Sequence, residues 1–200
     1  CMQLKEQMNP KKMMQREEEL LQILFDGLQN IEGLHILAEN ITHRLGVLSF
    51  YIENLHYNLG VKLLNDYFGI QVRGGCSCAG TYGHYLLNIN EKVSNAITCQ
   101  IDEGHLTAKP GWIRASIHPI MTNEEVHYLV NAIQQLSKYH TKWVNNYRYN
   151  CKTNEYVHKD DTTNEEMSLV DKWFQQAIKT FDINGRINNT YFAQRFVMFF

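Results

Sequence analysis

Several things are scarce in this chain of 200 residues. There are three prolines, so long structureless linkers are excluded. Charge of one sign is missing: 19 basic residues face 21 acidic ones, for a net charge of −2. That balance, with no dense basic stretch, leaves no electrostatic footprint for nucleic acid. No apolar run approaches the length needed to cross a bilayer, so no membrane partner is expected. The start, Cys1-Met2-Gln3-Leu4-Lys5-Glu6, lacks the apolar segment of a signal peptide. Five cysteines form an odd set without framework spacing, which points to a reducing, cytoplasmic setting. The chain opens on Cys1 rather than Met, in a polar segment that runs into a helix. It reads as a piece of a longer protein, although a processed terminus would look the same.

What the chain does have is order. Residues 10 to 30 carry a helical pattern, with Leu20, Leu21, Ile23, Leu24 and Leu28 on one side and Glu17, Glu18 and Glu19 nearer the start. Gly33 ends it. Leu34 to Ala38 reads as a short strand and Arg44 to Ile52 as a stronger one. Asn58 to Phe68 is an amphipathic helix with Asn58 as its cap and Gly69 as its stop. Phe68-Gly69-Ile70-Gln71-Val72 reads as a strand running into Arg73. Tyr82 to Leu87 suggests a helical turn, Glu91 to Ile101 a helix, Lys109-Pro110-Gly111 a turn and Trp112 to His118 a strand. Thr122-Asn123-Glu124-Glu125 is a capping box, in which hydroxyl and carboxylate each satisfy an orphan backbone N–H. It starts a helix to about Lys142, with Val126, Leu129, Val130, Ile133 and Leu136 buried. Tyr147 to His158 reads as a hairpin with Lys152-Thr153-Asn154-Glu155 at its tip. Thr163-Asn164-Glu165-Glu166 is a second box, opening a helix through Lys179. Strands separated by helices give an α/β class of α+β-like character: a small mixed or antiparallel sheet packed against helices. The expected division is 1–143 as one domain and 144–200 as a carboxy-terminal extension, hairpin plus helix.

The chemistry concentrates in Arg73-Gly74-Gly75-Cys76-Ser77-Cys78-Ala79-Gly80. An arginine ends the strand, glycines 74, 75 and 80 free the backbone, and two thiols follow. Free Cys is otherwise among the most buried residue types, so thiols on a glycine-rich turn suggest reactivity. His84 is the nearest imidazole in sequence, either a proton-transfer group or an ordinary helix-start residue. Cys76, Cys78 and His84 lack a fourth ligand for a structural zinc unless Cys99 joins, so no metal is expected. Trp112, Trp143 and Trp173 read as core and interface residues.

Arg73-Gly74-Gly75-Cys76-Ser77-Cys78-Ala79 resembles the R-x-G-x-x-C-A motif of the cysteine desulfurase and selenocysteine lyase branch of the class V aminotransferases. Arg114-Ala115-Ser116-Ile117, ahead of the capping box, is similar to that family's R-x-S-L segment. The order of elements over residues 12 to 140 is similar to the family's carboxy-terminal small domain.

The resemblance implies a fold-type I enzyme that uses pyridoxal 5'-phosphate, normally a homodimer. Its Schiff-base lysine and the aspartate on the pyridine nitrogen precede the small domain, so the chain alone is expected to be inactive. His158-Lys159 is then a surface coincidence. By the same resemblance, Cys78 is the catalytic thiol that takes sulfur from L-cysteine, leaving alanine and an enzyme persulfide for a sulfur-acceptor protein. Arg114 would hold the substrate carboxylate bidentately; without the resemblance it reads as a strand-end arginine in a surface ion pair. Arg73 would bind substrate or anchor the loop. Cys76-Ser77 stands where close relatives commonly carry a His pair, so Cys76 is a second sulfur acceptor, a resolving thiol or an unreactive substitution. The insertion from 81 to 111 marks a divergent subfamily. The alternatives are another class V aminotransferase, lyase or epimerase with Cys78 not catalytic, and a non-enzymatic thiol module that binds metal or a partner.

Overall fold

The computed structural model describes residues 6–76, 80–161, 171–174 and 176. Contacts divide the chain into two units, Cys1–His158 and Lys159–Phe200. In the second unit residues 171–174 and 176 are helical; the Thr163 box lies outside the described residues.

The first unit begins with α1, Pro10–Leu28, capped by the Asn9 side chain, which accepts from the Lys12 N–H. Two short strands follow, β1 (Leu34–Ile36) and β2 (Val47–Ile52). The strand expected from Arg44 starts three residues late because Arg44 turns inward as a staple. Its guanidinium donates to the carbonyls of Ile41, Leu37 and Ala38 and stacks over Phe25. Helix α2, Tyr57–Phe68, ends at Gly69 in the left-handed conformation, φ 65°. Its cap is His56, not Asn58: the imidazole Nδ1 accepts from the Asn58 N–H at 3.2 Å.

Strand β3 is Arg73–Gly75, later than the apolar run suggested. Phe68 is still helical and Gly69 is the helix stop, so Ile70 and Val72 pack from an irregular segment instead of pairing. Two helices fill the insertion, α3 (Gly80–Leu86) and α4 (Glu91–Asp102). A turn closes at Leu106–Lys109, just before Pro110. Then come β4 (Trp112–Ser116) and α5 (Asn123–Trp143), whose capping box has both bonds, Glu125 N–H to Thr122 Oγ1 and Thr122 N–H to Glu125 Oε2. A 3-10 turn leads to a hairpin of β5 (Tyr147–Asn150) and β6 (Glu155–His158), as expected.

Strands β1 to β4 form one sheet in the order β1-β2-β4-β3, with every pairing antiparallel. Alternation along each strand then divides the residues between two faces. Leu48, Phe50, Ile52, Ile113 and Ala115 turn toward the helices and join Leu20, Leu24, Leu63, Val126, Ile133 and Leu136 in one core. Close approach is made possible by small residues: at Gly27 a Cβ would meet Val130 Cγ1 at 2.6 Å, so α1 and α5 touch backbone to side chain. The result is two layers, helices on one face of a small antiparallel sheet.

Candidate functional site

The sheet's other face holds the candidate site. Register places Arg73 directly opposite Arg114, and Arg114 opposite Ser49 on its other side. Cross-strand partners point to the same face and lie close together, so two guanidinium-bearing side chains share one patch. Arg73 is exposed and Arg114 half-buried. Neither side chain has a hydrogen bond or ion pair among the described residues. Like charges directly opposed destabilise a sheet. An unneutralised pair of this kind therefore suits an anion. A planar guanidinium can hold a carboxylate with two parallel bonds.

Beyond Arg73 the strand leads to the thiols. Gly74 pairs with Ile113 and Gly75 with Trp112. The free turn expected at Gly74 and Gly75 is therefore a strand, and Gly74 is tightly packed within it. A Cβ on Gly74 would meet Val61 Cγ2 at 2.9 Å, Tyr57 Cδ2 at 3.0 Å and Asn58 Oδ1 at 3.1 Å. Gly75 adopts φ 112°, a conformation that favours glycine. Cys76 follows, half-buried, and a Cβ on Gly83 would come within 3.5 Å of Cys76 Cβ and 3.2 Å of the Trp112 ring. So α3 packs over the Trp112 end of the open face, beside Cys76. Cys78 and Gly80's surroundings lie outside the described residues.

The remaining expected residues are placed elsewhere. His84 Nδ1 bonds Ser94 Oγ at 2.9 Å, tying α3 to α4. His158 meets the Tyr147 ring edge-on. Cys99 and Cys151 are exposed free thiols. Among the described residues no group of three or more His, Cys, Asp or Glu is arranged to hold a metal ion.

Two residues under the thiol segment escaped the sequence reading. Tyr57 is buried at the start of α2 and accepts a hydrogen bond from Asn154 Nδ2 at 2.7 Å. Burial pushes its phenol up; the Asn154 bond opposes this, and nearby Cys76 and Tyr149 add to it. The two residues are 97 positions apart, so no local pattern joins them. The only hint in sequence was Asn154 at the hairpin tip, a residue type that tolerates the left-handed turn.

The sequence model of the class-V aminotransferases matches residues 2–129. This chain belongs to the class-V aminotransferase family. No curated protein matches it. Among solved structures it is similar to the apo cysteine desulfurase from Thermococcus onnurineus NA1, at 24% identity and a TM-score of 0.46, over 66% of this chain and 28% of that one. It is also similar to the cysteine desulfurase CsdA from Escherichia coli, an S-sulfonic acid form, at 22% identity and a TM-score of 0.37, over 61% and 24%. The chain thus spans about a quarter of the length of these structures. The family match covers the sheet, both arginines and the thiol segment. It ends within α5, ahead of the hairpin.

Class-V aminotransferases are generally pyridoxal-phosphate enzymes. Among the described residues, strands β1 to β4 bring no lysine for a Schiff base to the open face, and the carboxylate beside it, Glu53, is held by His35 at 2.8 Å. Strands β1 to β4 supply His35, Tyr51, Ser49, Val47, Arg73, Arg114, Ser116 and Trp112 to it. Lys62 lies on α2 and is paired with Asp66 at 2.9 Å. These residues fit a substrate carboxylate and do not by themselves fit the cofactor.

Proposed function

We propose that this chain is the carboxy-terminal small domain of a cysteine desulfurase-like enzyme, with residues 144–200 as an extension. The parent would take sulfur from L-cysteine and release alanine, with Cys78 receiving the sulfur as a persulfide. In that exchange the substrate's C–S bond breaks, an S–S bond forms on Cys78, and the alanine carbon gains a proton. The observation that carries the reading is the opposed pair Arg73 and Arg114, left without acids beside the segment that bears the thiols. Arg114 would bind and orient the carboxylate, and Arg73 would add charge at the same patch. Cys76 would be a second acceptor or a resolving thiol. The cofactor would be held by a part of the parent that carries the lysine, most of it outside this chain. A homodimeric parent and a sulfur-acceptor protein belong to the same proposal.

Titration of the isolated chain with pyridoxal phosphate tests the fragment reading. No stoichiometric Schiff-base absorption band is expected. A band at one equivalent that borohydride fixes to a single lysine would overturn it.

A further inference from the structure

Outside the span that matches the family, the β5–β6 hairpin sends one buried side chain under the thiol segment. Asn154 is 7% exposed, at a turn position with φ 58°. Its Nδ2 donates to Tyr57 OH at 2.7 Å and its Oδ1 accepts from Tyr149 OH at 2.9 Å. Its backbone carbonyl accepts from Asn58 Nδ2. A buried carboxamide with both ends engaged has one orientation, and it fixes its partners in turn. His56 and Tyr156 close the cluster, with His56 stacked on Tyr57 at 4.5 Å and Tyr156 against Tyr149 at 4.8 Å.

Tyr57 is the part that reaches the residues leading into Cys76. Its ring is wedged beneath the end of the β3–β4 pair. Cβ atoms built on Gly111, Gly74 and Gly75 would lie 2.7, 3.0 and 3.9 Å from it, so the backbone there rests on the ring itself. Cys76 is the next residue. Interiors of this density transmit a ring shift directly to what rests on the ring.

We propose that Asn154 is a positioning residue: acting through Tyr57, it fixes the end of β3 and thereby sets the reactivity of the Cys76 thiol. A segment beyond the family match would then tune the family's thiol loop. Its consequence for sulfur transfer rests on the desulfurase reading; the positioning does not.

The test is the rate of Cys76 alkylation by iodoacetamide, resolved by peptide mass spectrometry between pH 6 and 10. The variants are Asn154→Gly, which keeps the left-handed turn, Tyr57→Phe, and the double variant. Tyr147→Phe serves as control, since it removes the Tyr147 OH bond to Asp66 Oδ2 at 2.8 Å and leaves Tyr57 untouched. Each single variant should change the Cys76 rate by at least about threefold, the low end of coupling within one hydrogen-bonded network, and move the pH midpoint. The double should add nothing further, and the control should stay near wild type. Unchanged rates, additive effects in the double, or an equal change in the control would overturn the proposal. Alkylation reads the thiol whatever reaction the parent performs, so loss of the desulfurase reading would leave this result standing.

Discussion

At the scale of single residues, the chain separates charges it neutralises from charges it leaves open. Asp66 is neutralised: burial raises its carboxyl, but hydrogen bonds from Lys62, Tyr147 and Asn65 outweigh that and hold it below the ordinary value. Arg114 is left open. In the full-length parent, Arg114→Ala should raise KM for L-cysteine by roughly 30-fold, the equivalent of about 2 kcal/mol for a lost charge-assisted contact. Steady-state kinetics check this, and an unchanged KM would remove Arg114 from the site. His56 gives a pH prediction. Burial lowers its pKa from 6.5, and protonation of Nδ1 would also place a donor against the Asn58 N–H. Its folded pKa lies below its unfolded one, so its contribution is present above pH 6.5 and lost as pH falls through the folded value. His56→Asn keeps a capping acceptor and does not titrate. Denaturant unfolding should therefore show wild type losing stability relative to His56→Asn between pH 7 and 5; a constant difference would contradict this. A motif singled out Arg114 in the sequence, and the structure sets it opposite Arg73. Tyr57 and Asn154 were not legible there, because their meaning comes from a contact between distant parts of the chain.

At the scale of elements, the strongest local signals were read correctly and the ambiguous ones slipped. The Thr122 box marked the start of α5 because its bonds are local. The hairpin tip and the Gly69 stop were legible for the same reason. The strand placed at 68–72 failed because Phe68 closes the preceding helix and Gly69 is its stop, so the alternation of Phe68, Ile70 and Val72 was too short a run to distinguish strand from helix end. The true strand contains two glycines, which pattern reading takes for a loop. Only the structure shows why they are there: α2 lies against Gly74 with no room for a Cβ, and Gly75 takes φ 112°. Gly74→Ala should therefore cost about 1–3 kcal/mol of stability, as overpacking does, and lower the thermal midpoint. An alanine that left the midpoint unchanged or raised it would restore the view of Gly74 as a hinge.

At the scale of the whole molecule, the first unit's two-layer arrangement decides which residues of its sheet are left outside the core. One face of the sheet is given to the core. The other carries Arg73 and Arg114 together with serines and aromatic residues, and the end of β3 that leads to the thiols. The layer pattern was legible from alternating strands and amphipathic helices, whereas the sheet order β1-β2-β4-β3 was not, because β4 inserts between strands that are nearer in sequence. Two opposed arginines beside a thiol segment make up the half of a reaction centre that the proposal assigns to this chain. The central claim is that this half transfers sulfur through Cys78. Alanine release from L-cysteine by the full-length parent, compared with its Cys78→Ala variant, tests it most directly. The account predicts that alanine formation collapses to background while bound cofactor and thermal midpoint stay as in wild type. Alanine formation undiminished by the substitution would contradict it.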